Sequence, residues 1–154
     1  MSKSNTFEND LLKLIFNAVA IANMADNAAT SPLTNLYVAL HSADPGESGA
    51  QNTSEISYTT YARVAVARTS SGWVVTANSV SPAADVVFPT PSAGSGTATY
   101  WSVGTASSGT GKILYSGPIT PSITITVGTP PTLTNASGVT EDGTIAGSSI
   151  YRPS

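Results

Sequence analysis

Cysteine is absent from this 154-residue chain, which excludes disulfides and thiolate metal sites. Charge is scarce as well: 10 % of residues are charged, against about 25 % in ordinary globular domains. The basic residues are Lys3, Lys13, Arg63, Arg68, Lys112 and Arg152, and they form no cluster. With a formal net charge of -3, no electrostatic footprint for nucleic acid or an anionic membrane exists. Long hydrophobic runs are missing: Leu14 to Ala22 is too short to span a bilayer and is interrupted by Asn17. A secretory leader is not evident either, because Met1-Ser2-Lys3-Ser4 is followed by acidic Glu8 and Asp10. The expectation is a chain made in a cytoplasm and not exported by that route.

Thr, Ser, Gly, Ala and Val fill the space that charge leaves, and 40 % of the residues are hydrophobic. That mixture suits pleated sheets with hydroxyl-bearing outer faces. A surface with so few charges relies poorly on repulsion to stay monomeric, which suggests that partners cover much of it. The length is that of one domain and allows about 70 % of the unfolded chain's surface to be buried.

The chain is organised around residues 35–68. Leu36, Val38 and Leu40 share one face of a strand from Leu36 to His41, and Val64 and Val66 share one face of a second from Tyr61 to Arg68. A turn-rich loop around Asp44-Pro45-Gly46 joins them. Further strands are expected at Trp73–Thr76, forming a hairpin with the Arg63–Arg68 strand, and at Asp85–Phe88, Thr97–Val103, Lys112–Tyr115 and Ser122–Val127. Pro118 and Pro121 separate the last two, and Ile123, Ile125 and Val127 are expected to point inward. A last strand is expected to begin at Leu133. The count is seven to nine short strands between Gly/Pro/Ser turns, the pattern of an antiparallel β-sandwich or jelly-roll-like domain.

One helix is expected, over residues 6–25, capped by Asn5 with Glu8 completing a capping box. Its apolar stripe of Phe7, Leu11, Leu14, Ala18, Ile21 and Ala22 is widened by Leu12, Ile15, Phe16 and Val19, so it needs cover on more than one side. Either its own sheet or another subunit provides that cover. The expected organisation is an N-terminal helix over 1–27, a β-sandwich domain over 33–134, and an extended C-terminal arm over 135–154. The arm thins to Val139, Ile145, Ile150 and Tyr151 and is read as ordering against a neighbour or staying loose.

Groups able to do chemistry are few. His41 stands beside Ser42 and near Asp44, but neighbours along a strand diverge, so a strand-end or surface histidine is the reading. Asp44, Glu47 and Glu55 lack EF-hand spacing and read as solvated loop acids. Asp85 and the pair Glu141-Asp142 carry no separation from which hydrolysis can be argued. Gly94-Ser95-Gly96 and Gly109-Thr110-Gly111 lack a phosphate loop's lysine and are turns. No catalytic, cofactor-binding or metal-ligating residue is assigned, and no cofactor is expected. Tyr58, Tyr61, Trp73, Tyr100, Trp101 and Tyr115 read as core or cross-strand aromatics, or else as a platform for sugar rings or a partner. Arg63 and Arg68 read as surface or inter-subunit ion pairs. The partner-binding candidates are Phe7, Leu11, Leu12, Ile15, Phe16, Arg63, Arg68, Trp73, Trp101 and Tyr151.

Several short patterns recur in an order that resembles a known family. They are Leu36-Tyr37-Val38-Ala39-Leu40-His41, the Asp44-Pro45-Gly46 loop, Tyr58 with Tyr61-Ala62-Arg63-Val64-Ala65-Val66, Trp101-Ser102-Val103-Gly104, and Gly111-Lys112-Ile113-Leu114-Tyr115-Ser116-Gly117. Over roughly residues 32–134 the chain resembles small tailed-bacteriophage virion proteins commonly labelled tail fibre proteins. The resemblance implies a non-enzymatic virion component and supplies no catalytic residues. No shaft-like repeat is present, so a compact capsid decoration (cement) protein on the assembled shell is the first expectation. A tail-associated or fibre subunit is the alternative, and a carbohydrate-binding module a further one. The expected partners are copies of itself and other virion proteins, with no nucleic acid and no membrane.

Overall fold

The computed structural model describes residues 2–7, 9–11, 20–24, 33–76 and 79–140. Ten strands are described: β1 (Ser2–Lys3), β2 (Asn35–His41), β3 (Val64–Ala67), β4 (Trp73–Thr76), β5 (Ser79–Pro82), β6 (Val86–Val87), β7 (Gly96–Gly104), β8 (Ile113–Ile125), β9 (Thr132–Leu133) and β10 (Val139–Thr140). They form antiparallel sheets in the orders β1-β8-β7-β2-β3, β10-β5-β4 and β6-β9. The fold is mainly β and sandwich-like, as the alternation in the sequence predicts.

The core follows from strand parity. Val38 lies opposite Val103 and Leu40 opposite Trp101, so the apolar sets of β2 and β7 share one face. Ala98 and Ile125 extend that face, and Trp73, Val86, Leu133 and Val139 from the two smaller sheets pack with it around Phe88. Phe7, Ile21 and Leu114 form a second, small cluster that shares Leu36 and Tyr115 with the first.

Several expectations are corrected. The chain is helical at 5–7 and 9–11, but Ala22–Met24 is a turn with Asn23 at φ 62°, so no helix continues to residue 25. Residues 12–19, which carry much of the expected stripe, lie outside the described residues. The cap is Ser4, not Asn5: the Phe7 N–H donates to Ser4 Oγ at 3.2 Å, while Ser4 Oγ donates to the Ile113 carbonyl. β4 does not pair with the Arg63–Arg68 strand. The turn after β3, in which the Trp73 N–H donates to the Thr69 carbonyl, hands the chain to the other sheet, where β4 pairs with β5.

Pro118 and Pro121 do not break β8 in two. Between the pairs Ala98↔Ile123 and Tyr100↔Pro118, residues 119–122 of β8 stand against Thr99 alone. In that wide bulge Pro121 owes no ladder hydrogen bond, so the strand tolerates it. Val127 is exposed beyond the end of β8, while Ile123 and Ile125 face inward as expected. The start of the arm is ordered, because Val139 is buried and pairs with Val80. Residues 141–154, with the expected anchor Tyr151, lie outside the described residues.

Candidate functional site

The face of β2 opposite the core carries Tyr37, Ala39 and His41, and loops cover it. His41 is fully buried, correcting its reading as a surface histidine. Ala39 pairs with Ser102 and His41 with Tyr100, so Ser102 is the diagonal neighbour of His41 on this face. His41 Nδ1 lies 2.8 Å from the Thr53 carbonyl, and a carbonyl only accepts, so Nδ1 carries the proton. Nε2 therefore accepts from the Ser102 hydroxyl, also at 2.8 Å. A serine hydroxyl on an oriented imidazole is the start of a nucleophilic site, but both side chains are at 0 % exposure and no substrate reaches them. Here the pair ties the loop after β2 to β7.

Burial holds the His41 imidazole below its ordinary pKa, against the opposing pull of the Thr53 carbonyl. The neutral form is favoured in the fold, so the unfolded chain binds more protons once pH falls below its own value near 6.5. Stability is therefore complete above that pH and declines as pH falls through the lower, folded value. Thermal melts at stepped pH are expected to show this decline below pH 6.5, and a His41→Gln protein to lack the step. Equal pH profiles would show that His41 does not titrate on unfolding.

Beside this pair, Gln51 is fully buried and satisfied. Its Nε2 donates to the Tyr37 carbonyl at 3.1 Å, and its Oε1 accepts from the Ala106 N–H at 3.0 Å. Gly104 and Gly111 leave it room, since a Cβ on either would stand 2.1 or 2.0 Å from Gln51 atoms. Arg63 is buried too, with Nε 2.7 Å from Glu55 Oε1 and Nη2 2.8 Å from Oε2. Tyr61 donates to the same Glu55 Oε1 at 3.0 Å. Its phenol pKa is raised, first by burial and then by that carboxylate. The cluster of His41, Gln51, Glu55, Arg63 and Ser102 thus fastens the loops 42–55 and 105–111 to the sheet.

Two surface grooves differ in chemistry. One, about 650 Å3, lies along the β8 bulge and is lined by Ile119, Thr120, Ser122, Thr132 and Ser137 with Trp101. The other, about 560 Å3, is apolar and lined by Phe7, Leu36, Trp73, Val75, Leu114 and Val139 among others. Trp73 Nε1 is buried without an acceptor among the described residues, an omission that costs about 1–3 kcal/mol in a closed structure.

The expected partner-binding residues are scattered by the fold. Phe7 packs edge-on against Tyr115 at 5.4 Å between centroids, and Leu11 is half-buried. Trp101 is core, Trp73 is core at the edge of the apolar groove, and Arg63 is internal rather than a surface ion pair. Arg68 donates to the carbonyls of Asn23, Leu33 and Met24, fastening the segment before β2, and meets no acid among the described residues. Leu12, Ile15, Phe16 and Tyr151 lie outside the described residues. Sequence reasoning does not single out Gln51, Glu55 or Ser102 for this cluster. Only the strand parity of Ser102 relative to Trp101 could have flagged any of them.

Side chains of this kind, committed to holding loops and lining apolar or hydroxyl-rich grooves, define a β-rich structural protein. A model of the family described as Podophage GP4 fiber I protein gp80 matches residues 2–140, and the chain belongs to that family. It is a bacteriophage virion structural protein that associates with other virion components. The match confirms the resemblance carried by the β2 and β7–β8 motifs and extends it to the N-terminal residues and to β10. A search of curated proteins finds no match.

Proposed function

We propose that this protein is a non-enzymatic, tail-associated fibre subunit of a podophage, assembled in the host cytoplasm from several copies of itself. The observation that carries this reading is the family match over residues 2–140, whose description names a fibre and not a shell protein. That description favours the tail over capsid decoration. The low charge and the exposed Val74, Val75, Val87 and Val127 support self-association, because apolar side chains at such sites gain from being covered. The internal use of His41, Ser102, Arg63 and Glu55 supports a mechanical role over a chemical one.

Quantitative mass spectrometry of purified particles tests the location. A tail component is expected at a small multiple of the tail's rotational order, and gold-labelled antibody is expected at the tail end. A copy number comparable with that of the major shell protein would overturn the tail assignment.

A further inference from the structure

We infer that β4 is a docking edge for a second copy of this chain, whose own β4 pairs antiparallel with it about a two-fold axis at Val75. The inference rests on the self-association proposed above and deepens it by naming the strand, the register and the symmetry of the contact.

The polar groups of this edge can be assigned from the ladder. In the order β10-β5-β4, β5 covers one side of β4, and no strand among the described residues covers the other. One rung beyond Trp73↔Pro82, the Ala83 N–H donates to the Gly72 carbonyl at 2.9 Å, so Gly72 and Ala83 form a hydrogen-bonded pair. Such pairs alternate along an antiparallel ladder. Val74↔Ser81 and Thr76↔Ser79 are therefore bonded rungs, whereas Trp73↔Pro82 and Val75↔Val80 are not. Pro82, which has no N–H to give, stands at an unbonded rung, as this requires. Trp73 and Val75 thus turn their backbone groups away from β5. The Trp73 N–H is taken by the Thr69 carbonyl, which leaves Val75 as the residue of β4 that directs both a donor and an acceptor outward.

That arrangement selects its occupant. An antiparallel copy centred on Val75 matches the Val75 N–H to the partner's Val75 carbonyl and the reverse, a closed and self-complementary pair of bonds. Centring the pair on Val74 would set Val75 against Trp73, whose N–H is already committed. Val75 is 71 % exposed and Val74, on the opposite face, 46 %, so an added strand covers apolar surface on both sides of the sheet. Residues 69–84 hold no charge, so two copies meet here without like-charge repulsion, while a charged partner finds nothing to grip. β4 also lacks the lysine, proline or bulge with which natural edges resist such pairing. The other edges are better guarded: β8 carries Pro118 and Pro121, and at β3 the Ala67 carbonyl already accepts from the Thr69 N–H. Pairing at β4 joins the three-stranded sheets of two copies into one continuous sheet.

Charge swapping at the axis tests this by sedimentation of the full chain over about 1 µM to 1 mM, the range of weak contacts. The parent is expected to associate reversibly in pairs. A Val75→Lys protein sets like charges side by side, and its dissociation constant is expected to rise roughly tenfold or more. Val75→Glu is expected to do the same. An equimolar mixture of the two is expected to pair again, because the changed positions meet only across a two-fold axis at residue 75. Val127→Lys, at another exposed valine, is expected to leave association unchanged. Each variant should keep the parent's far-UV spectrum and melting temperature, since the side chain faces solvent in the single chain. A variant that unfolds would place Val75 inside its own chain and overturn the inference. Parent-like association of Val75→Lys, or a mixture no stronger than its components, would overturn the β4 contact and leave self-association standing. A parent that sediments as a monomer at every concentration would overturn self-association with it.

Discussion

Replacing Arg63 by methionine is expected to lower the unfolding free energy by about 3–5 kcal/mol, because it removes a buried guanidinium that four bonds hold and leaves a half-buried carboxylate without its cation. The Arg63 side chain is 2 % exposed and that of Glu55 17 %. Its guanidinium grips Glu55 with two parallel bonds and also donates to the carbonyls of Ala106 at 2.9 Å and Gly109 at 2.6 Å. One side chain therefore joins the residue before β3, the loop after β2, and the loop between β7 and β8. Methionine keeps apolar bulk but supplies no donor, so the Ala106 and Gly109 carbonyls lose the bonds Arg63 makes and the Glu55 carboxylate is left with the Tyr61 hydroxyl. In a chain of this size the melting temperature is expected to fall by about 6–20 °C. Urea unfolding is the measurement: the midpoint should drop while the slope stays constant. The double variant Arg63→Met/Glu55→Leu should recover part of the loss, since it removes the stranded charge. A single variant within about 0.5 kcal/mol of the parent would return Arg63 to the surface role that its sequence position suggests.

How much of this is legible in the sequence depends on the range of the signal. Alternation in Leu36–His41 and Thr97–Val103 is local, and it places β2 and β7 with the right inward set. Pairing is not local. The turn at Thr69–Gly72 looks like a hairpin connection in sequence, yet it sends Trp73 to another sheet, because the apolar face of β4 finds Val80 and Val139 there. The prolines of β8 read as breaks because a ladder would forbid them, and the bulge opposite Thr99 removes that ladder. Arg63 reads as a surface residue since arginine usually lies there. Its partner Glu55 lies in the loop before it, within a stretch whose path no periodicity reveals. His41 is misplaced for a related reason: its strand position is correct, but its cover comes from loops. The buried cluster is built by residues far apart in sequence, such as His41 and Ser102. The family resemblance holds because it rests on several ordered motifs, each carrying side chains that the fold uses.

Truncating Trp101 to alanine is expected to cost about 3–5 kcal/mol, the range for removing a large aromatic side chain from a packed core. Trp101 is 3 % exposed, stands opposite Leu40, and belongs to the cluster that joins all three sheets. The consequence separates two readings that the sequence leaves open. A sugar-stacking tryptophan presents its ring to solvent, so its loss would leave stability within about 0.5 kcal/mol while abolishing binding. A core tryptophan gives the opposite pattern, with a cavity and a lower denaturation midpoint. Trp101→Phe should recover much of the loss, since a second aromatic ring refills part of the space. The groove on the β8 bulge sharpens the comparison. Only the margin of Trp101 reaches it, and the other named lining side chains are aliphatic or hydroxyl-bearing, without the amide or charged groups that orient a sugar. A Trp101→Ala protein as stable as the parent would move this ring from the core to the surface. The packing of Val38, Leu40 and Val103 against Leu133 and Val139 would then need another centre.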